Sequence, residues 1–196
     1  MSSILDTLTQ QLGGDAVQQI SSQLGADPSS TQQAIGAALP LLLSAVGKQA
    51  ANPNTANGLL NALQQHDGSV LQDVSGYVAG GGDVQDGNGI LGHLLGGQTN
   101  TAANSLGAAT GLTANSSGQL LAMLAPLVMG AVGQAQQQQR LDAGSLAGLL
   151  SGHQQQADSL LGGIASQLLD SNHDGSIVDD VMKIGSNLLG GLFGKQ

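Results

Sequence analysis

The sequence predicts an all-α fold, a compact multihelical array built from two degenerate repeats with short Gly-rich joints. Three observations predict it. Apolar residues recur every three or four positions along most of the chain, which is the period of an amphipathic helix. Runs of β-branched or aromatic residues, which favour strands, are absent. Glycine accounts for 31 of the 196 residues and gathers in pairs and triples between the periodic segments.

The first two helices are predicted from stripes of apolar side chains. Ile4–Leu12 places its apolar residues on one face, and Asp15–Leu24 repeats that pattern. Gly25 is a natural stop for the second helix. The spacing resembles that of a helix-turn-helix motif, but no Arg or Lys occurs before Lys48 to contact nucleic acid. We therefore interpret this region as a structural corner between helices.

A third helix is predicted to begin at Asp27-Pro28. Asp is a favoured N-cap residue, and proline fits the first position of a helix. This helix runs to about Val46 and carries Pro40 inside it. An internal proline removes a backbone hydrogen bond and kinks or ends the helix. Pro126 predicts the same effect in the second half of the chain, and the sequence leaves both outcomes open.

Further helices are expected along the rest of the chain, separated by Gly, Asn and Asp residues. Short polar tracts such as the run of glutamines before Arg140 suit exposed helix ends or linkers. The predicted helices are 55–65, 69–79, 88–95, 102–109, 116–133, 143–151, 157–169 and 177–192.

A Gly-rich acidic stretch at residues 80–91 separates two of these helices. It lacks the Lys of a phosphate-binding loop, and Asp83 and Asp86 would repel phosphate. We interpret it as a flexible joint in which Asn88 caps the following helix. A weak cation site at the same carboxylates is the alternative.

An internal duplication is indicated by matches at a constant offset. Segment 39–50 lies over segment 125–135, so that Pro40 falls on Pro126 and each segment continues into Ala-Val-Gly. Upstream in the same register, Gly25 aligns with Gly111 and Ser30 aligns with Ser116. The two halves of the duplication are residues 1–97 and 98–196. We expect the two halves to pack together as one pseudo-symmetric domain.

Composition excludes several classes of function. The net charge is −9, and the four basic residues are scattered along the chain, so nucleic-acid binding is disfavoured. The chain has no Cys, which excludes disulfides and thiolate catalysis. Only Tyr77 and Phe193 are aromatic, so any core must consist of aliphatic side chains and Met. The mean hydropathy of +0.07 suggests an apolar surface that self-associates or docks onto another protein.

The N-terminus and the apolar runs decide the expected location. No basic region followed by an apolar run begins the sequence, so we predict no signal peptide and a cytoplasmic protein. The apolar runs Ala34–Val46 and Leu120–Val132 are each about 13 residues long, whereas a spanning helix needs roughly 20. We therefore predict buried core helices and no transmembrane segment.

A calcium-loop spacing occurs at residues 170–181. In such loops, oxygen ligands occupy positions 1, 3, 5 and 7, Gly occupies position 6, and an acid at position 12 completes the site. Position 12 is Val in this chain, so an acid earlier in the loop would have to substitute and affinity would be weak. The candidate calcium ligands are Asp170, Asn172, Asp174, Ser176 and Asp180.

The alternative interpretation of the same loop is a helix start. Ser176 and Asp179 have the spacing of a capping box, in which each side chain bonds the backbone of the other residue. An echo of the loop at residues 67–74 lacks the first calcium ligands but keeps this spacing in Ser69 and Gln72. Because the two copies share only the cap, the sequence leaves calcium binding and capping both open.

Catalytic constellations are not evident. The chain contains no Glu, and its four His residues do not form a zinc-binding pair at helical spacing. His93 interrupts an apolar helix face, where a hydrogen-bonded structural His and a functional imidazole are both compatible with the pattern. No nucleophile elbow surrounds any Ser. We predict that the protein is not an enzyme.

Four segments resemble, in order, the YidB-like family, a bacterial domain family of unknown function. They are "GGDAVQQISSQLGADPSSTQQAIGAALPLLLSAVGKQA", "GNGILGHLLGG", "LLAMLAPLVMGAVG" and "LLDSNHDGSIVDDV". The resemblance implies a compact multihelical cytoplasmic protein and offers no catalytic residues. The resulting expectation is a non-enzymatic interaction or structural module that self-associates. The alternative is a calcium-responsive binding protein.

Overall fold

The computed structural model describes residues 4–151, and this part of the chain is helical with no β-strand. The prediction of an all-α fold is confirmed. Short 3₁₀ helices cover Ser69–Asp73 and Gly96–Gln98, and residues 143–151 are helical. The helices expected at 157–169 and 177–192 lie outside the described residues. The α-helices are α1 (Ile4–Gln11), α2 (Asp15–Leu24), α3 (Pro28–Ala51), α4 (Ala56–Gln65), α5 (Val74–Ala79), α6 (Val84–Leu95), α7 (Thr99–Thr110) and α8 (Ala114–Gln139).

Helix α8 lies at the centre of the fold. Every residue from Ser116 to Gly133 is buried, except that Gly118 is partly exposed and Gln119 is exposed. Helices α1, α3, α4, α6 and α7 pack around α8. A helix that is apolar on all faces has no side to present to water, so the other helices cover it. The completely buried side chains of α8 include Leu120, Leu121, Leu124 and Leu127.

Two helices, α3 and α8, are long and apolar enough to cross a membrane by length and composition. In their most apolar windows, 67% of the α3 residues and 83% of the α8 residues are buried inside the protein. Core helices of globular proteins have this same property. Most residues of these two windows are thus covered by the other described helices.

The start of α3 follows the predicted chemistry. The Asp27 carboxylate accepts hydrogen bonds from the backbone N–H groups of Ser29 at 2.9 Å and Ser30 at 3.2 Å. Pro28 occupies the first helical position, and Gly25 ends α2 in the left-handed conformation with φ of 60°. These three local predictions are confirmed.

Two predicted caps are wrong. Helix α6 begins at Val84 rather than at residue 88, because the Asp83 carboxylate accepts a hydrogen bond from the Asp86 N–H at 2.9 Å. Asn88 is therefore inside α6. In the 67–74 segment, Ser69 does not cap a helix; its N–H donates to Asp67 at 2.9 Å, and a 3₁₀ helix precedes α5. An aspartate caps the α-helix in both places: Asp83 caps α6, and Asp73 caps α5 by accepting a hydrogen bond from the Gly76 N–H at 2.8 Å.

Helices α3 and α8 both continue through their internal prolines. Proline has no N–H, so Pro40 leaves the Gly36 carbonyl and Pro126 leaves the Ala122 carbonyl without a helical donor. At Ala122, the backbone of Gly87 in α6 packs directly against that carbonyl, and a Cβ on Gly87 would overlap it. Helices α6 and α8 thus cross closely at a point where Gly87 has no side chain and Pro126 has no N–H.

A second close approach lies two to three turns further along α8. A Cβ on Gly133 would overlap the His66 carbonyl and lie 2.8 Å from the Leu63 carbonyl. The Cα of Gly68 lies 3.2 Å from the position of a Cβ on Gly130. Glycines spaced three residues apart on α8 therefore make room for the end of α4 and the turn that follows it.

The corner between α2 and α3 faces the corner between α7 and α8. The Ser116 hydroxyl donates to the Leu24 carbonyl at 3.4 Å. On the α2–α3 side, the Ser30 hydroxyl lies close to Gly111 at the end of α7, 3.9 Å from the position that a Cβ on Gly111 would occupy. The cap region of each long helix thus contacts the end of the short helix in the other corner.

Candidate functional site

A pocket of about 370 Å³ opens between the end of α3, helix α4 and helix α6. Its floor consists of aliphatic side chains and Met129 from the central helix, and its rim is polar. We call it the His93 pocket. The residues that line it are Gln49, Asn54, Thr55, Gly58, Leu59, Ala62, Ile90, His93, Leu94 and Met129.

The Gln49 side chain holds the rim of the His93 pocket together. Its Nε2 donates to the carbonyls of His93 at 2.9 Å and Leu94 at 3.2 Å, where α6 ends. The Gln49 carbonyl accepts from the Thr55 hydroxyl at 2.9 Å, just before α4 begins. One residue therefore connects three helix ends, which fixes the width of the pocket mouth.

The lining of the His93 pocket carries few ionisable groups. His93 is the single titratable residue among those that line it, and its ring is exposed at the rim. The Thr55 hydroxyl donates to a backbone carbonyl and has no adjacent base. An apolar floor with neutral polar groups at the mouth suits an apolar guest.

A His–Asp pair joins α4 and α6 near the other end of the pocket. The His66 Nε2 lies 3.1 Å from an Asp86 carboxylate oxygen, and its Nδ1 lies 2.9 Å from the Ala62 carbonyl. Thus the end of α4 meets the start of α6, and the two helices run in opposite directions beside the pocket. The neighbouring Asp67 has its pKa held below the usual value, chiefly by the Ser69 backbone N–H. The pair fixes the spacing of the two helices.

Tyr77 anchors the turn that precedes α6. Its hydroxyl accepts a hydrogen bond from the Asp83 N–H at 3.0 Å and donates to the Met123 carbonyl of α8 at 3.4 Å. The side chain is half-buried, and this burial raises the pKa of the phenol above its usual value. Tyr77 therefore has a structural role in positioning the capped start of α6.

A second concavity, of about 640 Å³, lies between α6, α7 and α8. Five of the residues around it are Asn or Gln, and none is charged. We call it the amide groove. Its lining residues are Val84, Asn88, Thr99, Asn100, Ala103, Asn104, Ala114, Asn115, Gly118 and Gln119.

The predicted calcium ligands Asp170, Asn172, Asp174, Ser176 and Asp180 lie outside the described residues. Within residues 4–151, no group of three or more His, Cys, Asp or Glu side chains could hold a metal ion. Of the two carboxylates of the alternative cation site, Asp83 caps α6 and Asp86 pairs with His66.

Sequence reasoning did not identify either concavity. The amide groove has a recognisable signal in retrospect, because α7 and α8 each carry a carboxamide at their second and sixth positions. The His93 pocket has no such signal. Its lining comes from helices and a turn whose convergence depends on the packing of Gln49 against the end of α6.

Comparison with protein-family models identifies the family of this chain. The model of a family described as bacterial protein of unknown function, DUF937, matches residues 6–137. The chain belongs to this family. The match begins inside α1, covers α2 to α7 and nearly all of α8, and is consistent with the resemblance to YidB-like proteins. Comparisons with curated proteins and with solved structures give no match.

Proposed function

We propose that this DUF937 protein is a non-enzymatic, self-associating binding module of the cytoplasm. The observation that carries the proposal is the His93 pocket, an apolar recess with a neutral rim and space for an apolar side chain. Water in an open recess of this kind lies against apolar atoms, and an apolar guest that displaces this water removes apolar surface from solvent. A second copy of the chain can supply the guest.

Leu149 is the best candidate for that guest. It is 43% exposed and is the large hydrophobic side chain of the described residues that stands out from the surface. Its helical neighbours Leu146 and Leu150 are completely buried, which fixes the side of the helix from which Leu149 projects. An exposed apolar side chain and an apolar recess on different parts of one surface create a heterologous contact between copies.

The expected association is weak. Burying one leucine contributes about 1.5–3 kcal/mol, whereas a millimolar complex requires about 4 kcal/mol. Contacts around the rim must supply the remainder, so we expect a dissociation constant of roughly a millimolar. Such a weak association depends on the local concentration of the protein, so it suits a module that acts where many copies are held together.

Sedimentation velocity over a wide concentration range tests the proposal. Leu149→Asp should abolish the concentration-dependent increase in sedimentation coefficient. Gly58→Met should do the same, because a Cβ on Gly58 meets open space and the new side chain fills the pocket. Gly36→Met is the matched control, because Gly36 is also helical with open space around its Cβ but does not line the pocket.

Two results would contradict the proposal. One is a protein that remains monomeric at millimolar concentration. The other is self-association that persists in both Leu149→Asp and Gly58→Met. Melting temperatures of all variants ensure that the comparison is made between folded proteins.

We also propose that the two halves, 1–97 and 98–196, arose by duplication and pack with pseudo-twofold symmetry. The two facing corners support this, because Ser116 and its sequence match Ser30 each lie near the end of the short helix in the opposite corner. The long helices α3 and α8 each carry proline at their thirteenth position. Co-expression of the two halves as separate chains tests it: related, complementary halves should copurify, and independent folding without association would contradict it.

Calcium-responsive binding is the second candidate function, and the spacing of Asp170, Asn172 and Asp174 before Gly175 supports it. A ligand that binds only the folded state raises the melting temperature. Millimolar calcium should therefore raise the melting temperature of chelator-treated protein, and Asp174→Ala should remove the increase. An equal increase with magnesium, or none with either ion, would leave the loop as a helix cap.

A further inference from the structure

The amide groove has hydrogen-bonding capacity that the fold does not use. Within the described residues, none of its five carboxamide side chains takes part in a hydrogen bond to another residue (Asn88, Asn100, Asn104, Asn115 and Gln119). The Gln49 side chain, by contrast, is bonded to the end of α6. The groove therefore presents a set of unpaired donors and acceptors around one concave surface.

The spacing of these groups matches an extended polypeptide. Asn100 and Asn104 on α7, like Asn115 and Gln119 on α8, are four residues apart, which is about 6 Å along a helix. An extended chain repeats every two residues, or about 6.6–6.8 Å. Carboxamides on two helices thus recur at nearly the interval at which a strand presents its backbone groups to one side.

The rest of the lining selects against other ligands. No charged side chain faces the groove, so neither anions nor cations would be neutralised there. No aromatic side chain lines it, so the stacking that favours sugars and nucleic-acid bases is missing. Small residues such as Ala103, Ala114 and Gly118 leave room for a backbone to approach the helices closely.

We propose that the amide groove binds an extended peptide segment with small, neutral side chains, mainly through the peptide backbone. A carboxamide carries two donors and an acceptor oxygen, so it complements the N–H and C=O of a peptide unit. The side chains of the segment contribute little, so recognition is broad in sequence. This site is separate from the His93 pocket and does not depend on self-association.

A capped octapeptide of alternating Gly and Ser is a suitable probe, and NMR titration of the Asn and Gln side-chain amide signals is the measurement. Signals from the groove should shift with peptide concentration. An otherwise identical peptide with esters in place of alternate amides lacks those N–H donors and should bind roughly tenfold more weakly, because several hydrogen bonds are lost. Equal binding of amide and ester peptides would overturn backbone recognition.

The variant Asn100→Asp/Asn104→Asp removes the donors on α7 and should weaken peptide binding by roughly tenfold or more. Its matched control is Asn57→Asp/Asn61→Asp, because those residues hold the same second and sixth positions of α4 and lie outside the groove. Both variants add the same charge at the same place in a helix. The control should bind like the unaltered protein.

A second variant guards against a folding defect on α7. Gln119→Glu changes one exposed carboxamide on α8 to a carboxylate of the same shape and should weaken binding severalfold. No change in affinity in either groove variant, or no signal shifts at ten-millimolar peptide, would overturn the proposal. Shifts produced by maltohexaose in place of the peptide would also overturn it and assign the groove to carbohydrate.

Discussion

The corner between α2 and α3 and the corner between α7 and α8 are built with the same local chemistry. Each short helix ends at a left-handed glycine, Gly25 with φ of 60° and Gly111 with φ of 76°. Each long helix begins after a side-chain cap, Asp27 in one case and Thr113 in the other. The local sequence thus produces the same turn twice, and the differences between the corners arise from their neighbours.

The prolines show what those neighbours change. Gly36, whose carbonyl loses its donor to Pro40, is exposed, so water can bond that carbonyl. Ala122, whose carbonyl loses its donor to Pro126, is completely buried and faces the backbone of Gly87. For the Ala122 carbonyl, the nearest substitute for the missing N–H donor is the weak Cα–H donor of Gly87. The same backbone defect is solvated in α3 and packed against another helix in α8.

The largest expected effect separates these two positions. Gly87→Ala places a Cβ on the Ala122 carbonyl, and backbone on both sides resists movement, so we expect the free energy of unfolding to fall by about 3 kcal/mol. Gly36→Ala on α3 meets open space and should raise it by about 0.5–1 kcal/mol. Urea denaturation of both variants measures the difference. Similar effects of the two would show that the crossing at Gly87 tolerates a methyl group.

The two caps should differ in their response to pH. Thr113→Ala removes a neutral cap, which bonds the Ser116 N–H, and should cost about 1 kcal/mol at every pH. The hydrogen bonds from Ser29 and Ser30 lower the pKa of Asp27 below 3.8, so its contribution is present above that value and is lost as pH falls through the folded-state pKa.

Thermal melts between pH 2 and pH 7 test this prediction of cap chemistry. Asp27→Ala should lower the melting temperature at neutral pH and match the unaltered protein in acid. The Thr113→Ala deficit should persist across the range. A pH-independent deficit in Asp27→Ala would mean that the carboxylate is not the capping group.

A third pair of equivalent residues should give effects of opposite sign. The Thr31 hydroxyl donates to the Asp27 carbonyl at 3.0 Å, so Thr31→Val should cost about 1 kcal/mol. The Ser117 hydroxyl occupies the same register in α8 but is completely buried without a hydrogen-bond partner in the described part of the chain. Ser117→Ala should therefore stabilise the protein by up to about 1 kcal/mol. A loss of stability in chemical denaturation would indicate that a water or another group pairs with Ser117.

The smallest expected effect concerns the hydrogen bond from Tyr77 to α8, which has no counterpart on α3. Tyr77→Phe removes the hydrogen bonds to Asp83 and Met123 and should cost about 0.5–1 kcal/mol at neutral pH. Because burial raises the pKa of Tyr77, its contribution is present below the unfolded value of 10 and is lost as pH rises through the folded-state pKa.

Absorbance of tyrosinate can follow this ionisation directly, because Tyr77 is the one tyrosine of the chain and tryptophan is absent. The unaltered protein should titrate above pH 10 and lose stability there, while Tyr77→Phe should not. A normal titration midpoint would contradict the burial of the phenol.

Local features were the most predictable part of the fold. The Asp27-Pro28 start and the Gly25 stop depend on bonds within one turn, which neighbouring residues supply. Asn88 was assigned as a cap incorrectly because Asp83, five residues earlier, captures the Asp86 N–H and starts the helix sooner. A sequence with several eligible caps does not show which of them the packed helix selects.

The sequence by itself determined the helical class, the apolar character of the long helices and the scarcity of charge, because periodicity and composition act over a few residues. The tertiary structure decided that Pro126 continues a helix, that Gly87 and Gly133 are points of close approach, and that carboxamides from α6, α7 and α8 line one groove. These features depend on contacts between residues far apart in the chain. Their energies come from packing and from hydrogen bonds that no local pattern records.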